Sequence, residues 1–351
     1  MIAVLIVNWN GYIDTTECLE SLLRLSDGDF VVFLIDNGST DGSLQAIVRW
    51  AAISKGEKPK GDPWIYMPDY RRRPPNVRRI TAGDGGPFAP GEILLVETGA
   101  NLGFAGGNNV GLALARRDPN IDYVWLLNND TVVADDCLTA LKKQAHDKPW
   151  AAMIGARLMF YNKPKVVQGI AGTFNPWRAQ GGHIGMGLHS GLPGIESIEA
   201  RMDYVIGASI FLPMSTYDEV GPMEESYFLY FEEPDWAYRL KRGGADKRLT
   251  VALDAIVYHK EGASIGSSAT RRPSDISIYY KSRNTWRFMW RWHRWLLPLT
   301  CWWQAYEIAH YLRHCDWRAV GIVLRAFGDA VMGRRSFVPG TEPATALDRR
   351  R

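Results

Sequence analysis

The sequence predicts an α/β fold in which a mainly parallel sheet is covered by helices on both faces. Residues 2–9, IAVLIVNW, form an uninterrupted apolar run, which is typical of a strand buried on both faces. Strand-like and helix-like segments then alternate up to residue 145, a pattern that favours right-handed crossovers and parallel pairing. The length of 351 residues suits one large domain with an appendage, or two domains.

The first helix is predicted over residues 14–25, with Asp14 as its N-cap and leucines on one face. The next three pairs of strand and helix are predicted at 30–36 and 43–51, at 92–98 and 108–117, and at 122–128 and 134–145. Residues 54–91 are rich in Gly, Pro and Arg and are predicted as a surface insertion, either a functional loop or a disordered insert.

The pattern changes in the second half of the chain. Residues 151–262 contain short strand-like pieces and many Gly, so we expect a mixed or antiparallel extension of the same sheet. Seven of the fourteen Trp then fall between Trp286 and Trp317, among Arg and His. We therefore predict one domain over residues 1–265 and a helical C-terminal region over residues 266–351.

Composition excludes several classes of protein. The four cysteines are scattered without a CxxC pair, which argues against a disulfide framework or structural zinc and fits a reducing compartment. The formal net charge of +3 gives no support to nucleic-acid binding. The N-terminal run lacks a basic leader and a cleavage site, so it is predicted as a strand and not a signal peptide. No apolar stretch reaches the roughly 20 residues that span a bilayer.

Polar side chains stand where several predicted strands end. VWLLNNDTVV, residues 124–133, runs from an apolar strand into Asn128, Asn129 and Asp130. A turn is one interpretation, because Asn and Asp side chains bond the nearby backbone. However, Asp36 also closes a strand, and the carboxyl ends of parallel strands meet at one edge, where open α/β sheets bind ligands. The sequence therefore predicts a polar crevice at that edge.

The segment NLGFAGGNN, residues 101–109, follows the third strand of this set. Its glycines, Gly103, Gly106 and Gly107, would let backbone approach a ligand, and a helix beginning near Asn108 would offer N–H groups to phosphate. The first strand is followed by NWNGYIDT, which is not a GxGxxG loop, and no GxxxxGK[ST] motif occurs. We expect a nucleotide site that uses neither common phosphate loop.

Six segments occur in an order that resembles the inverting family 2 glycosyltransferases of GT-A fold, particularly bacterial rhamnosyltransferase-like members. They are VLIVNWNG, IDNGSTDGS, NLGFAGGNN, WLLNNDTVV, FLYFEEPDWAYRLKRGG and VYHKEGAS. The resemblance covers about residues 1–270. It implies a GT-A-like fold, with a Rossmann-type mixed, mainly parallel sheet flanked by helices and followed by the helical C-terminal region. The implied reaction moves a hexose or deoxyhexose, with rhamnose as one candidate, from a nucleotide-diphosphate sugar to a glycan or lipid-linked glycan.

The resemblance also implies a divalent cation, Mg²⁺ or Mn²⁺, that neutralises the departing diphosphate. In the family, the last Asp of a DxD-type motif contacts the metal, and the matching residue here is Asp130. Asn128 replaces the first Asp, and its amide can bond a ribose or a metal-bound water. His259 matches a position that completes the metal shell, although a satisfied core histidine is the alternative.

The nucleotide of the donor is expected to contact the same edge of the sheet. Asp36 matches the family residue that reads the base or ribose, and an Asx-turn in DNGST is the alternative. The other donor-contact candidates are amide and glycine residues of the matched motifs: Asn8, Asn101, Gly106, Asn109, Asn128 and Asn129.

The general base is predicted in YFEEPDW. The family's base is the Asp of a Glu-Asp pair, and the aligned residue is Glu233, with Glu232 in reserve. Asp235 is the third carboxylate, but we expect it to pair with Arg239 one turn later. Acidic residues and Pro234 also suit a helix N-terminus, and both interpretations can hold. A base that works near neutral pH needs its pKa raised by burial or by neighbouring carboxylates.

Residues 279–335 carry ten basic and three acidic residues, or about +7 in a chain of +3. Trp and Arg together suit the headgroup region of a bilayer. We therefore expect a cytoplasmic protein that contacts the inner face of the cell membrane peripherally. The alternatives are a helical cap that packs Trp against the catalytic domain, and a homodimer interface. No nucleic-acid partner is expected, because no fold-level signature accompanies the aromatic residues.

Two further classes of function stay open. A nucleotidyltransferase could use the same sheet edge, but it would normally carry a Gly/Arg/Lys-rich loop where this chain has NWNG. A non-catalytic glycan-binding protein on a decayed domain is compatible with Asn128 in the metal motif. The prediction is a metal-dependent glycosyltransferase of cell-envelope polysaccharide.

Overall fold

A computed structural model describes residues 1–52, 75–244, 248–260 and 273–334. The centre of the fold is a large mixed sheet. In chain order the strands are β1 (Ile2–Asn8), β2 (Phe30–Asp36), β3 (Asn76–Ile80), β4 (Glu92–Glu97), β5 (Tyr123–Leu127), β6 (Thr131–Val133), β7 (Ala151–Phe160), β8 (Lys163–Gly169), β9 (Ala171–Asn175), β10 (Gln180–Ile184), β11 (Ser209–Pro213) and β12 (Arg248–His259).

The helices flank this sheet and then form the C-terminal region. They are α1 (Tyr12–Leu22), α2 (Ser43–Ala52), α3 (Gly103–Ala115), α4 (Cys137–Asp147), α5 (Ile195–Glu199), α6 (Met214–Val220), α7 (Glu232–Arg242), α8 (Asp275–Trp292), α9 (Leu297–Arg313) and α10 (Trp317–Val331). One apolar core packs α3 and α7 against the sheet, and a second packs α1, α2 and α4 against its other face. The predicted α/β fold with C-terminal helices is confirmed.

The sheet order is β3-β4-β2-β1-β5-β11-β7-β12-β6, with β8 beside β7, and β9 pairs with β10 in a separate hairpin. Strand β1 is parallel to β2 and β5, and β2 is parallel to β4. Their parallel register sets Asn8 opposite Asp36 at the carboxyl edge. The next strands, β11 and β7, pair in an antiparallel manner, which confirms the predicted mixed extension.

The predicted start of the third helix was wrong. We expected it near Asn108, but α3 begins at Gly103. The glycines lie inside this helix, where there is no room for a side chain. A methyl group on Gly107 would lie 2.8 Å from Val7 Cγ1. The Asn101 side chain accepts a hydrogen bond from the Gly103 N–H at 2.9 Å, so the N-terminus already has a partner inside the protein.

The predicted surface insertion over residues 54–91 was partly wrong. Residues 54–74 lie outside the described ranges, but residues 76–80 form β3, an edge strand parallel to β4. The strand was missed because three of its five side chains are exposed, so it lacks the apolar run of a central strand. None of the described helices is long and apolar enough to cross a bilayer.

Candidate active site

The ends of β1, β2 and β5 are linked by side-chain hydrogen bonds. Asn8 donates through Nδ2 to Asp36 Oδ1 at 2.8 Å and accepts at Oδ1 from the Thr15 hydroxyl at 2.7 Å. Asn129 donates to the same hydroxyl at 3.0 Å. The Ser39 N–H donates to the second oxygen of Asp36 at 3.1 Å, so the turn interpretation of Asp36 also holds. The chain thus brings Asn8, Asp36 and Asn129 together at one edge.

Asp130, which is buried, pairs with the partly buried His259 at the same edge. The His259 Nε2 atom lies 3.2 Å from Asp130 Oδ1, and its Nδ1 atom lies 2.8 Å from Gln168 Oε1. Strand β12 carries His259 alongside β6, which begins directly after Asp130. Carboxylate and imidazole are ligands that suit Mn²⁺, and a glutamine on the second nitrogen orients the ring. Within the described ranges, no group of three or more acidic, His or Cys residues gathers as a fuller ligand set.

Lys260 is a charged neighbour of this pair that the sequence prediction left out. Its backbone N–H donates to the Asp130 carbonyl at 3.0 Å. Its ammonium group forms ion pairs with Asp14, at 2.6 Å, and with Glu17. The signal was present, because Lys260 directly follows His259 in the motif VYHKEGAS.

Glu233 lies in the first turn of α7 and packs against Gly207. A methyl group built on Gly207 would lie only 2.8 Å from the Glu233 carboxyl carbon. The next residue, Ala208, accepts a hydrogen bond from the Asn128 N–H at 3.1 Å, which connects this contact to the end of β5. Burial raises the pKa of Glu233 to about 7. Burial and the charge of Glu233 also raise the pKa of Tyr204.

Glu232 is more deeply buried than Glu233, with 1% of its surface exposed. Burial, and next the charge of Glu233, raise its pKa well above the ordinary value, while the charge of Arg283 acts in the opposite direction. Its Oε2 atom has no hydrogen-bond partner among the described residues. The raised pKa favours the protonated form of Glu232, which makes Glu233 the better candidate for the base.

Asp235 is fully buried and engaged by several donors. It accepts from Arg239 Nε at 3.0 Å, from Trp292 Nε1 at 2.8 Å and from the Tyr227 hydroxyl at 3.3 Å. The expected pairing with Arg239 is confirmed. These contacts fit a residue that fixes α7 in place, and they leave Glu233 and Glu232 as the candidates for the base.

Three of the predicted donor-contact residues make internal contacts. Asn109 bonds to the backbone N–H and carbonyl of Met223 and to the Glu225 carboxylate, all within 3.0 Å. Asn101 accepts from Asn37 Nδ2 and from the start of α3. A methyl group on Gly106 would lie 2.6 Å from Leu102 Cβ, so this glycine permits tight packing. The structure gives these residues contacts within the fold, and Asn101 bonds Asn37, which directly follows Asp36 at the end of β2; their contact with the donor stays a prediction.

Curated relatives of the chain are glycosyltransferases. No protein-family model matches it. It is 26% identical over 193 residues to the low-salt glycan biosynthesis hexosyltransferase Agl10 of Haloferax volcanii, a match that covers 55% of this chain and 59% of the relative. It is 26% identical over 305 residues to the N-acetylglucosaminyl-diphospho-decaprenol L-rhamnosyltransferase of Mycobacterium tuberculosis, covering 78% of this chain and 82% of that protein. The rhamnosyltransferase WbbL of Escherichia coli is 24% identical over 193 residues, covering 53% and 72%.

Solved structures agree on the fold. The mannosyltransferase PcManGT from Pyrobaculum calidifontis, in complex with GDP-Man and Mn²⁺, has a TM-score of 0.51 at 13% identity, over 95% of this chain and 87% of that one. GalNAc-T7 with UDP, GalNAc and Mn²⁺ has a TM-score of 0.52 at 14% identity, over 81% of this chain and 47% of that one. The chain is thus similar in sequence to glycosyltransferases, including rhamnosyltransferases, and it shares the GT-A fold of the solved structures.

Proposed function

We propose that this protein transfers a hexose or deoxyhexose, with rhamnose as the first candidate, from a nucleotide-diphosphate sugar to a glycan or lipid-linked glycan acceptor, with inversion. The observation that carries the proposal is the position of Glu233, whose carboxylate packs on Gly207 beside the strand end that bears Asn128 and Asp130. A pKa of about 7 leaves this carboxylate largely ionised just above neutral pH and still basic enough to take a proton.

The proposed reaction is a single in-line displacement. The Glu233 carboxylate accepts the proton of the acceptor hydroxyl, and the acceptor oxygen forms its bond to the anomeric carbon. The bond between that carbon and the diphosphate oxygen breaks, and its electron pair leaves with the diphosphate. Because the acceptor enters opposite the leaving group, one displacement inverts the anomeric centre. Burial raises the pKa of the neighbouring Glu232, which favours its uncharged form and limits the negative charge beside the base.

Asp130 and His259 are the residues that would hold a divalent cation, Mg²⁺ or Mn²⁺. They offer one carboxylate and one imidazole 3.2 Å apart, and Gln168 fixes the imidazole from its far side. When bound, the cation would neutralise the negative charge of the departing diphosphate. Asn8 and Asp36, held together at the same edge, are the proposed contacts of the nucleoside.

Membrane contact is proposed for the C-terminal helices of a cytoplasmic protein. Trp295, Trp302 and Trp317 each expose more than 60% of their surface, and Arg residues surround them in the basic 279–335 segment. Thr300 is the single buried residue of α9, and the other residues of this helix are partly or fully exposed. The mycobacterial relative is named for a decaprenol-linked substrate, which supports a lipid-linked acceptor here. A homodimer interface would use the same exposed side chains and is the competing proposal.

Donor turnover tests the function. A panel of nucleotide sugars is first screened by thermal shift, because a ligand that binds the native state raises its melting temperature. Turnover of the selected donor is then measured with Mn²⁺ for the wild type, Glu233→Gln and Asp130→Ala. Both variants should lose activity, whereas Glu196→Gln, a change to an exposed carboxylate in the first turn of α5, should not. If Glu233→Gln and Asp130→Ala both retain the wild-type rate, the proposed site is wrong.

A further inference from the structure

The segment that precedes α7 has an unusual backbone. Phe228, Tyr230 and Phe231 have φ angles of 66°, 67° and 77°, in the left-handed region that non-glycine residues rarely adopt. Such a backbone conformation is strained and persists only where its surroundings fix it. Phe231 directly precedes Glu232 as the N-cap of α7. The left-handed segment, residues 228–231, therefore sets the position of the first turn of α7, which carries the proposed base.

Asn284 of α8 holds the backbone of this segment. Its Nδ2 group donates to the carbonyls of Tyr227, Leu229 and Tyr230 at 2.9, 2.7 and 3.1 Å. Asn284 is fully buried, so water does not replace these bonds. Buried carbonyl groups without partners are costly, and one side chain here supplies partners to three of them.

Arg283 completes the contact from the neighbouring position. Its Nη2 group donates to the carbonyls of Ser226 and Tyr227 at 2.9 and 2.8 Å. Its Nε group donates to Asn284 Oδ1 at 3.0 Å, which orients the amide so that Nδ2 faces the segment. Arg283 is also fully buried, and its charge lies close enough to act on Glu232.

The segment is held on its opposite side by α3. The Phe104 N–H donates to the Phe228 carbonyl at 2.9 Å. Gly103 allows this approach, since a methyl group there would lie 2.6 Å from Phe228 Cδ2. The segment is therefore fixed between the first turn of α3, in the motif NLGFAGGNN, and a helix of the C-terminal region.

We propose that Arg283 and Asn284 are positioning residues for glycosyl transfer, which fix the left-handed segment and thereby hold Glu233 at the sheet edge. This inference rests on the proposed function, because it assumes that Glu233 is the base. It assigns a catalytic contribution to the C-terminal region that is separate from its proposed contact with the membrane.

The test uses the full chain and the variants Asn284→Asp and Arg283→Lys. Asn284→Asp keeps the size of the side chain but removes the N–H donors, and Arg283→Lys keeps the charge but removes the paired donors. The control is Thr300→Val in α9, which removes a buried hydrogen bond of 3.1 Å to the Leu296 carbonyl elsewhere in the C-terminal region. The measurements are thermal unfolding, kcat, donor KM and the pH profile of kcat/KM.

We expect both variants to lower kcat about tenfold or more, as misplacement of a reacting group does, with donor KM little changed. We also expect the acid limb of kcat/KM to move to lower pH, because a loosened segment admits water to Glu233 and lowers its pKa toward the ordinary value. A residue with a purely structural role would lower stability without moving this limb, as we expect for Thr300→Val.

Wild-type kcat and pH profile in folded Asn284→Asp and Arg283→Lys would overturn the inference. If neither variant folds, Arg287→Gln takes their place, since it removes one bond of 2.7 Å to the Ser226 carbonyl from a half-buried position. An unchanged kcat in that variant would also overturn the inference. If Glu233→Gln is inactive and the α8 variants are fully active, only this inference is wrong. If Glu233→Gln is fully active, both the proposed base and this inference are wrong.

Discussion

Substitution of Gly207 by Ala should inactivate the enzyme while leaving it folded. The added methyl carbon would lie 2.8 Å from the Glu233 carboxyl carbon. Carbon atoms in contact are about 3.5–4.0 Å apart, and Glu233 Oε1 would lie closer to the methyl than the carboxyl carbon does, so the carboxylate must retreat by at least about 0.7–1.2 Å. A displacement of about 1 Å at a reacting group can cost about 10²-fold in rate, or about 2.7 kcal/mol of transition-state stabilisation. The backbone accepts Ala, because Gly207 does not have a positive φ.

The assay compares kcat and the unfolding midpoint of Gly207→Ala with those of Gly321→Ala. A methyl group on Gly321, in α10, meets open space, so this control adds the same group away from Glu233. We expect a loss of about 10²-fold in kcat for Gly207→Ala and none for the control. If folded Gly207→Ala keeps kcat within about threefold of the wild type, the exact position of Glu233 does not govern the reaction and the proposed base is wrong.

We expect three further outcomes, at the base, at the metal site and at the C-terminal helices. The pH profile of kcat/KM should fall on the acid side of about pH 7, where Glu233 becomes protonated. Because its folded pKa is raised, Glu233 contributes stability that is fully present below its unfolded pKa and is lost as pH rises through about 7. At pH 8.5, Glu233→Gln should therefore have a larger free energy of unfolding than the wild type, by about 3 kcal/mol in denaturant titrations. Gln168→Ala should weaken Mn²⁺ activation about tenfold in a metal titration, because His259 loses its orienting partner, and an unchanged metal requirement would contradict the role of His259. Trp302→Ala with Trp317→Ala should reduce sedimentation with anionic vesicles without changing the melting temperature, and unchanged sedimentation would favour the homodimer interface.

The central strands could be predicted from sequence because each carries a local signal. Residues 30–36 are buried at every position of β2, and an uninterrupted apolar run at this length indicates a strand covered on both faces. Once those strands are parallel, their carboxyl ends share an edge, so the grouping of Asn8 with Asp36 is a consequence of topology. The pairing of Asp235 with Arg239 is likewise local, because residues four apart meet on a helix.

Other features could not be predicted because the interacting residues are remote in sequence. Gly103 was interpreted as a ligand-approach residue, but the group that approaches it is Phe228, 125 positions later. Asp235 binds Trp292, and the Tyr227 carbonyl binds Asn284, each 57 positions away. No periodicity or motif in the sequence predicts a contact between residues so far apart along the chain. They appear only when α8 is placed against α7, which tertiary packing decides.

The contacts of α8 bear on how the chain is divided. The change in composition after about residue 270 predicts a separate C-terminal region, with its boundary placed at residue 265, and a membrane role for its helices. The boundary stays a prediction. Yet α8 supplies Asn284 to three carbonyls before α7 and Trp292 to Asp235 within it. A chain cut at residue 265 would leave these buried groups without their partners, at about 1–3 kcal/mol each. Such a truncation should therefore abolish transfer to a water-soluble acceptor, for which membrane contact is irrelevant.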